Sequence, residues 1–378
     1  MPKILTLTDS LSERAGGLSH ATLNLAVSTA QQWPEAEFSI LSQKDSSEIH
    51  CAYQHLSNLR IQAIQGFRNE LFPWSRGLPQ AVEAWQPDLI HLRGLWRQPS
   101  LVSLRWKQQY PHKPLIVQTA GMLEPWARSR KRWLKSAYYH LVEQRLIEQC
   151  DLIHATSEQE VATLKRLGIE ASRIILVEEG VFLPSIDVLQ ASASGRSTRR
   201  LLFLSRLHPV KGVELLLEAL SMLRPRGWVC QICGMGQSDY ELKLRSQVAR
   251  LHLGDLVHFS GPLSGKAKQR VLAQADAFVL PSFSESFGIA IAEAMSWGLP
   301  VVTTTSTPWQ VLADQDMGWC IPPSLNGLSE ALFELFNSSD SRLSSMGYRS
   351  HQYIAQHYDW RVISQRMIGI YQSLLGFS

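Results

Sequence analysis

Two hydrophobic periods alternate along the chain. Short apolar runs bounded by turn residues recur at Lys3 to Thr8, Phe38 to Ser42, Leu59 to Ile64, Leu89 to Leu92, Leu115 to Thr119, Leu152 to Ala155 and Ile174 to Val177. Each reads as a buried strand. Stretches with helical spacing separate several of them, beginning with Leu18 to Trp33 after a loop that carries Gly16 and Gly17. In the second half, Leu201 to Ser205, Ala277 to Pro281 and Pro300 to Thr305 read as strands, with Val213 to Leu223 and Gly288 to Trp297 as helices. Strands alternating with helices predict parallel sheets covered on both faces, an α/β fold. The small, polar stretch Pro184 to Arg200 reads as a linker between two domains. Beyond Tyr358, the residues Trp360, Ile363, Met367, Ile370, Tyr371 and Leu374 fall on one helical face.

The stretch Ala277 to Thr305 reads strand, loop, helix, strand, and holds two carboxylates, Glu285 and Glu293, around the start of its helix. Ser284 and Ser286 are candidate caps. Glu285 falls in a loop at the carboxyl end of a strand, where open parallel sheets bind ligands. The N–H groups of Ser286, Phe287 and Gly288, left free at the helix start, suit an anion such as a diphosphate. Glu293 is then placed to accept ribose hydroxyls and Glu285 those of a hexose. Spacing alone fits a solvated glutamate pair equally well.

A second phosphate-binding candidate follows the strand Leu201 to Ser205. Arg206 and Lys211 flank the loop before Val213, where the helix dipole disfavours cations unless they share an anion. Gly234 and Gly236 follow a strand and allow close backbone approach, although a lone GxG lacks the full dinucleotide fingerprint. Cys230 and Cys233 stand three apart in that strand and point to opposite faces, which argues against a metal or redox pair. Asp314 and Asp316 form a DxD in a loop before Gly318 and read as solvated turn residues.

The segments SRLHPVKGVELLLEAL, CGMG, HFSGPL and SFSESFGIAIAEAMSWGLPVV, in this order, resemble the group 1 nucleotide-sugar glycosyltransferases, glycosyltransferase family 4, over about residues 199 to 310. The resemblance implies a GT-B fold: two Rossmann-like α/β/α domains with an interdomain cleft. These are expected at residues 1–190, joined by a crossover helix at about 359–378, and at 191–358. It implies a retaining enzyme that uses a nucleotide-diphosphate sugar as co-substrate and needs no bound metal or other cofactor. By the same resemblance, Glu293 holds the ribose, Glu285 the donor sugar, Arg206 and Lys211 the diphosphate, and Ser260, Gly261, Pro262 and Leu263 the base. Gly16 and Gly17 would face the donor. A diphosphate leaving group gathers negative charge, which fixed cations and helix N–H groups stabilise without magnesium.

HLRGLWRQPS and QTAGMLEPWARSRKRWLKSA resemble the members that build surface polysaccharide and lipopolysaccharide, so a glycan or lipid-linked acceptor is expected. Three positions depart from the family pattern. Arg93 and Ala120 stand where histidines are common, and Glu179 stands where Asn often precedes Gly180. Ala120 removes a hydrogen-bond donor near the reacting sugar, which keeps open a catalytically silent relative that binds a nucleotide sugar or a partner enzyme.

Arg128, Arg130, Lys131, Arg132 and Lys135 crowd one segment with Trp126, Trp133, Tyr138 and Tyr139. Residues 126–139 are therefore a candidate contact with anionic lipid headgroups, or else a solvated face over buried aromatics. The 378 residues suffice for two domains, 45% hydrophobic and 19% charged. A net charge of +4 gives no sign of nucleic-acid binding. Five cysteines at 51, 150, 230, 233 and 320 form no framework. The opening MPKILTLTDS reads as a strand and not a signal peptide, and no apolar run approaches the roughly 20 residues of a membrane span. A cytoplasmic protein is expected, at or near the inner face of the membrane.

Overall fold

The structure is a computed structural model that describes residues 1–11, 17–44, 56–64, 75–123, 138–184 and 198–377. The chain divides into two compact units, residues 1–180 with 360–378, and residues 181–359. The expected boundary at 190/191 moves to 180/181. Val181 belongs to the second unit because its N–H donates to the Tyr358 carbonyl at 2.8 Å and it bridges Asp359. Arg199 already lies in a strand, and residues 185–197 of the expected linker fall outside the described residues.

In the first unit, β1 (Lys3–Ser10), β2 (Glu37–Lys44), β3 (Leu59–Ala63), β4 (Leu89–Arg93), β5 (Leu115–Gln118), β6 (Leu152–Ala155) and β7 (Ile174–Leu176) form one parallel sheet. Its order is β3-β2-β1-β4-β5-β6-β7. Helices α1 (Gly17–Gln32), α2 (Gly77–Trp85), α3 (Gln98–Gln109), α4 (Gln144–Gln149) and α5 (Glu158–Arg166) connect the strands. β4 and β5 are buried along their whole length, as central parallel strands must be when helices lie on both faces.

The second unit holds β8 (Arg199–Leu204), β9 (Trp228–Cys233), β10 (Val257–Gly261), β11 (Ala277–Leu280), β12 (Val301–Thr304) and β13 (Gly318–Ile321). These pair in parallel in the order β10-β9-β8-β11-β12-β13. Around them lie α6 (Val213–Leu223), α7 (Ser238–Arg250), α8 (Gly265–Gln274), α9 (Ile289–Ser296), α10 (Val311–Asp314), α11 (Leu325–Asn337) and α12 (Asp340–His357). Phe278, Val279 and Leu280 of β11 are fully buried, each with about 1.5–3 kcal/mol of transfer free energy, so the loop that follows springs from a rigid base.

The last helix, α13 (Trp360–Leu375), belongs to the first unit. Small residues on α1 let it approach: Ser28 Oγ donates to the Trp360 carbonyl at 3.1 Å and meets Ser364 Oγ at 3.0 Å. Further along, Tyr371 Oη reaches His91 Nδ1 of β4 at 2.8 Å.

Candidate functional site

The second sheet changes direction between β8 and β11, whose neighbours β9 and β12 continue outward on opposite sides. Loops leave the carboxyl ends of two adjacent strands at such a switch point and part, opening a crevice. Arg206 and Lys211 stand on the loop after β8, and Glu285 on the loop after β11.

Backbone contacts lock these loops together. Gly212 has φ +71°, and a Cβ there would lie 2.1 Å from the Pro281 carbonyl oxygen, so only glycine permits this approach. Phe283 N–H donates to the Val210 carbonyl at 2.7 Å. Gly234 lies under the same kind of constraint: a Cβ would meet the Ser205 carbonyl at 1.8 Å. The missing side chain at Gly234 therefore makes room for the protein's own backbone.

The locked loops bring Lys211 onto Glu285. Lys211 Nζ donates to Glu285 Oε1 at 2.6 Å, with both side chains only about a tenth exposed (11% and 10%). Ser282 Oγ donates to the same oxygen at 2.8 Å. One lysine N–H is used, leaving two for an incoming anion. Arg206 is exposed and makes no ion pair among the described residues.

Glu293 lies on α9, within its second turn, and Lys268 of α8 donates to its Oε1. Each carboxylate of the pair thus carries a lysine from a different segment, Lys211 from the loop after β8 and Lys268 from α8. The serines expected to cap α9 do not: its N-cap is Gly288, at φ +84°, with no side-chain cap bond. A positive φ here turns the chain sharply enough that glycine replaces a capping serine. The N–H groups of Ser286, Phe287 and Gly288 have no acceptor among the described residues. Trp309 Nε1 holds the Phe287 carbonyl at 2.5 Å, and the two rings pack 5.3 Å apart, which pins this turn.

Residues 260–263 close β10. The Gly261 carbonyl accepts from Gly234 N–H at 2.8 Å, and Ser260 Oγ accepts from Gln231 Nε2 at 2.9 Å. Pro262 is exposed and Leu263 half-buried.

In the first unit, two departures from the family pattern meet. Arg93 Nη2 donates to Glu179 Oε1 at 2.6 Å, and Gln118 Nε2 donates to that oxygen at 2.8 Å. Both partners are buried. Ala120 takes a left-handed φ of +48° and leads into Gly121 at +70°. Glu160 holds this turn from α5, accepting from Thr119 Oγ1 and from Gly121 N–H at 2.6 Å. Gly17 begins α1, while Gly16 lies outside the described residues. Of the basic aromatic segment 126–139, only Tyr138 and Tyr139 are described. Tyr138 Oη donates to the Arg97 carbonyl at 2.8 Å and Tyr139 packs on Trp96.

Cys230 and Cys233 are both buried, and burial pushes the Cys233 thiol up to about 11 and the Cys230 thiol further. Neither is a thiolate at neutral pH. Asp316 is paired with Arg349 at 2.5 Å, and among the described residues no group of three or more His, Cys, Asp or Glu is arranged to hold a metal ion.

The residues that sequence alone did not single out are Lys268, Ser282, Trp309 and Glu160. Lys268 carried a readable signal: it is a cation in the first turn of a helix that has no acid there.

Two parallel α/β units, one with its charged loops gathered at a sheet switch point, define the GT-B class of glycosyltransferase folds. Residues 189–352 match the family described as Glycosyl transferases group 1, and residues 16–180 match the Glycosyl transferase 4-like domain. The chain belongs to the group 1 glycosyltransferases. It is 26% identical over 332 residues to the GDP-mannose:cellobiosyl-diphosphopolyprenol alpha-mannosyltransferase of Xanthomonas campestris, covering 86% of this chain and 83% of that one. It is 32% identical over 221 residues to the phosphatidyl-myo-inositol mannosyltransferase of Mycolicibacterium smegmatis, covering 56% and 54%. Against the first curated relatives that it matches, the chain spans about 60% of their length. Among solved structures, Anabaena HepE in complex with UDP and glucose superposes with a TM-score of 0.77 at 19% identity, over 99% of this chain and 100% of that one.

Proposed function

We propose that the chain transfers a hexose from a nucleotide-diphosphate sugar to a glycan or lipid-linked acceptor, with retention of configuration, in the synthesis of surface polysaccharide or lipopolysaccharide. The observation that carries this reading is the pair of lysine-held carboxylates, Glu285 with Lys211 and Glu293 with Lys268, set around N–H groups ahead of α9 that have no acceptor among the described residues. Such a site offers cations and N–H donors to a diphosphate, flanked by acceptors for sugar hydroxyls. The names of the Xanthomonas relative and the HepE complex, a GDP-sugar in one and UDP in the other, support a nucleotide donor.

In this reading Arg206 and the free N–H groups of Lys211 take the diphosphate. Glu293 takes the ribose, Glu285 the hydroxyls of the hexose, and residues 260–263 the base. As the sugar to phosphate bond breaks, charge moves onto the leaving diphosphate, and Arg206, Lys211 and the α9 turn stabilise it without a metal. The acceptor hydroxyl attacks from the side of the departing phosphate, which takes its proton. Glu285, already accepting from Lys211 and Ser282, is a sugar-holding group and not the nucleophile. A two-carboxylate hydrolase would need both acids beside one bond.

Among the described residues no helix is long and apolar enough to cross a membrane. Work at the inner membrane face is part of the proposal, with residues 126–139 as the contact. The test is nucleotide release measured with a panel of UDP, GDP and ADP sugars and glycan or lipid acceptors, in the presence of a chelator. Transfer with an α-anomer retained supports the reading. Donor binding with neither transfer nor hydrolysis across the panel overturns it in favour of a silent relative, the second reading that Ala120 motivates.

A further inference from the structure

Glu293 has a partner to which the roles above give no task. Lys268 Nζ donates to Glu293 Oε1, and both side chains remain about a quarter exposed (26% and 24%). Glu293 Oε2 has no partner among the described residues. Lys268 sits in the first turn of α8, beside Lys266, where no acid offsets the helix dipole. Its own helix therefore does not explain it. α8 begins two residues beyond residues 260–263 in sequence, and its Lys268 reaches Glu293.

Resting on the donor reading above, we infer that Lys268 positions Glu293 for the donor ribose and completes a two-sided grip on its diol. A carboxylate that is a quarter exposed samples several rotamers; an ion pair to one oxygen selects one of them and turns the other oxygen outward. Lysine has three N–H donors and no lone pair, and the bond to Oε1 uses one. Another donates to a ribose oxygen whose own hydrogen goes to Glu293 Oε2. The third N–H and the second lone pair of Oε2 serve the neighbouring hydroxyl in the same way, so that each hydroxyl both gives and accepts a hydrogen bond. A deoxyribose would leave part of this pairing unmet, and a site built to hydrogen-bond a hydroxyl discriminates against the analogue that lacks it. Lys268 is thus a determinant of specificity for ribonucleotide donors that acts largely through Glu293.

Calorimetric titration of UDP and GDP, and of their 2′-deoxy and 3′-deoxy counterparts, into wild type, Lys268→Met, Lys268→Arg and Glu293→Gln tests this. Wild type binds a ribonucleotide about tenfold or more tightly than at least one deoxy form. In Lys268→Met the ribonucleotide weakens by about tenfold and the deoxy form barely changes, so the ratio falls to about two. Lys268→Arg keeps most of the ratio. Glu293→Gln loses it, and adding Lys268→Met to Glu293→Gln lowers it no further, as coupled residues require. Equal weakening of both nucleotides in Lys268→Met, or no weakening, overturns the inference and leaves the donor reading standing. A wild type that binds none of these nucleotides overturns both.

Discussion

Arg93 and Glu179, 86 positions apart, form a buried ion pair at 2.6 Å, and both are departures from the family pattern. The two departures that the family resemblance marks separately are one ion pair in the structure, as a paired exchange would leave them. A buried cation in place of a histidine requires a buried anion, and the position before Gly180 supplies it. Removing one partner leaves an uncompensated charge. Glu179→Ala is expected to cost about 3–5 kcal/mol in urea unfolding, while Arg93→His with Glu179→Asn together recovers most of that loss. Additive losses in the double variant would count against the exchange.

In the proposed donor site, Lys211→Ala removes a cation from the diphosphate and the partner of Glu285. Donor binding and turnover are expected to fall together, with kcat/KM down by about 10²–10³. Initial rates against donor concentration check this, and a change confined to KM would remove Lys211 from the leaving-group charge.

If Glu293 holds the ribose as proposed, Glu293→Ala is expected to raise donor KM by about tenfold with kcat nearly unchanged, because such contacts are made equally in the ground and transition states. A fall in kcat at saturating donor would place Glu293 nearer the reacting bond.

His91, His154 and Tyr371 form a buried chain: His154 Nδ1 meets His91 Nε2 at 3.2 Å and His154 Nε2 meets the Val177 carbonyl at 2.6 Å. Burial and the neighbouring Arg93 charge push His154 down to about 4, and burial lowers His91 well below the ordinary range, followed by the charges of His154 and Arg93. The folded protein holds these rings neutral while the unfolded chain takes up protons below about 6.5. Stability from them is therefore complete above that pH and lost as pH falls from 6.5 towards 4, roughly 3 kcal/mol for His154 alone. Urea unfolding at pH 7.5, 6 and 5 measures it, and His154→Gln flattens the dependence.

Glu143 titrates in the opposite sense. Burial pushes its carboxyl up to about 7, although Trp96 N–H donates to Oε1 at 2.5 Å. Its folded value lies above the unfolded one, so its contribution is present at low pH and lost as pH rises from about 4.5 through 7. Glu143→Gln, which cannot ionise, is expected to gain roughly 3 kcal/mol on wild type between pH 5 and pH 8. Melting curves of the two proteins at both values check this, and a pH-independent difference would contradict it.

Much of the second unit could be read from local sequence. Arg206, Lys211, Glu285 and Glu293 all lie next to strand ends or helix starts, and these are marked by short-range patterns of apolar, small and capping residues. The pairings could not be read. One strand lies between Lys268 and Glu293 in sequence and three lie between Arg93 and Glu179, separations that no periodicity encodes. Gly288 shows a different limit: flanking serines suggested a side-chain cap, yet the backbone turns through a positive φ that the glycine itself supplies. Gly234 could be recognised as a tight spot, but whether ligand or Ser205 filled it depended on the neighbouring loop.

The place of α13 bears on how the chain is made. Ribosomes release the first unit's strands early, but Tyr371 lies 280 positions after His91, beyond the whole of the second unit. At about 5–20 residues per second, the nascent first unit, complete to Gly180, waits roughly 10–40 s for its last helix, with α1 uncovered on that side. The second unit, continuous in sequence, finishes its fold while the first is still open. The half of the protein that is translated first is thus the half completed last.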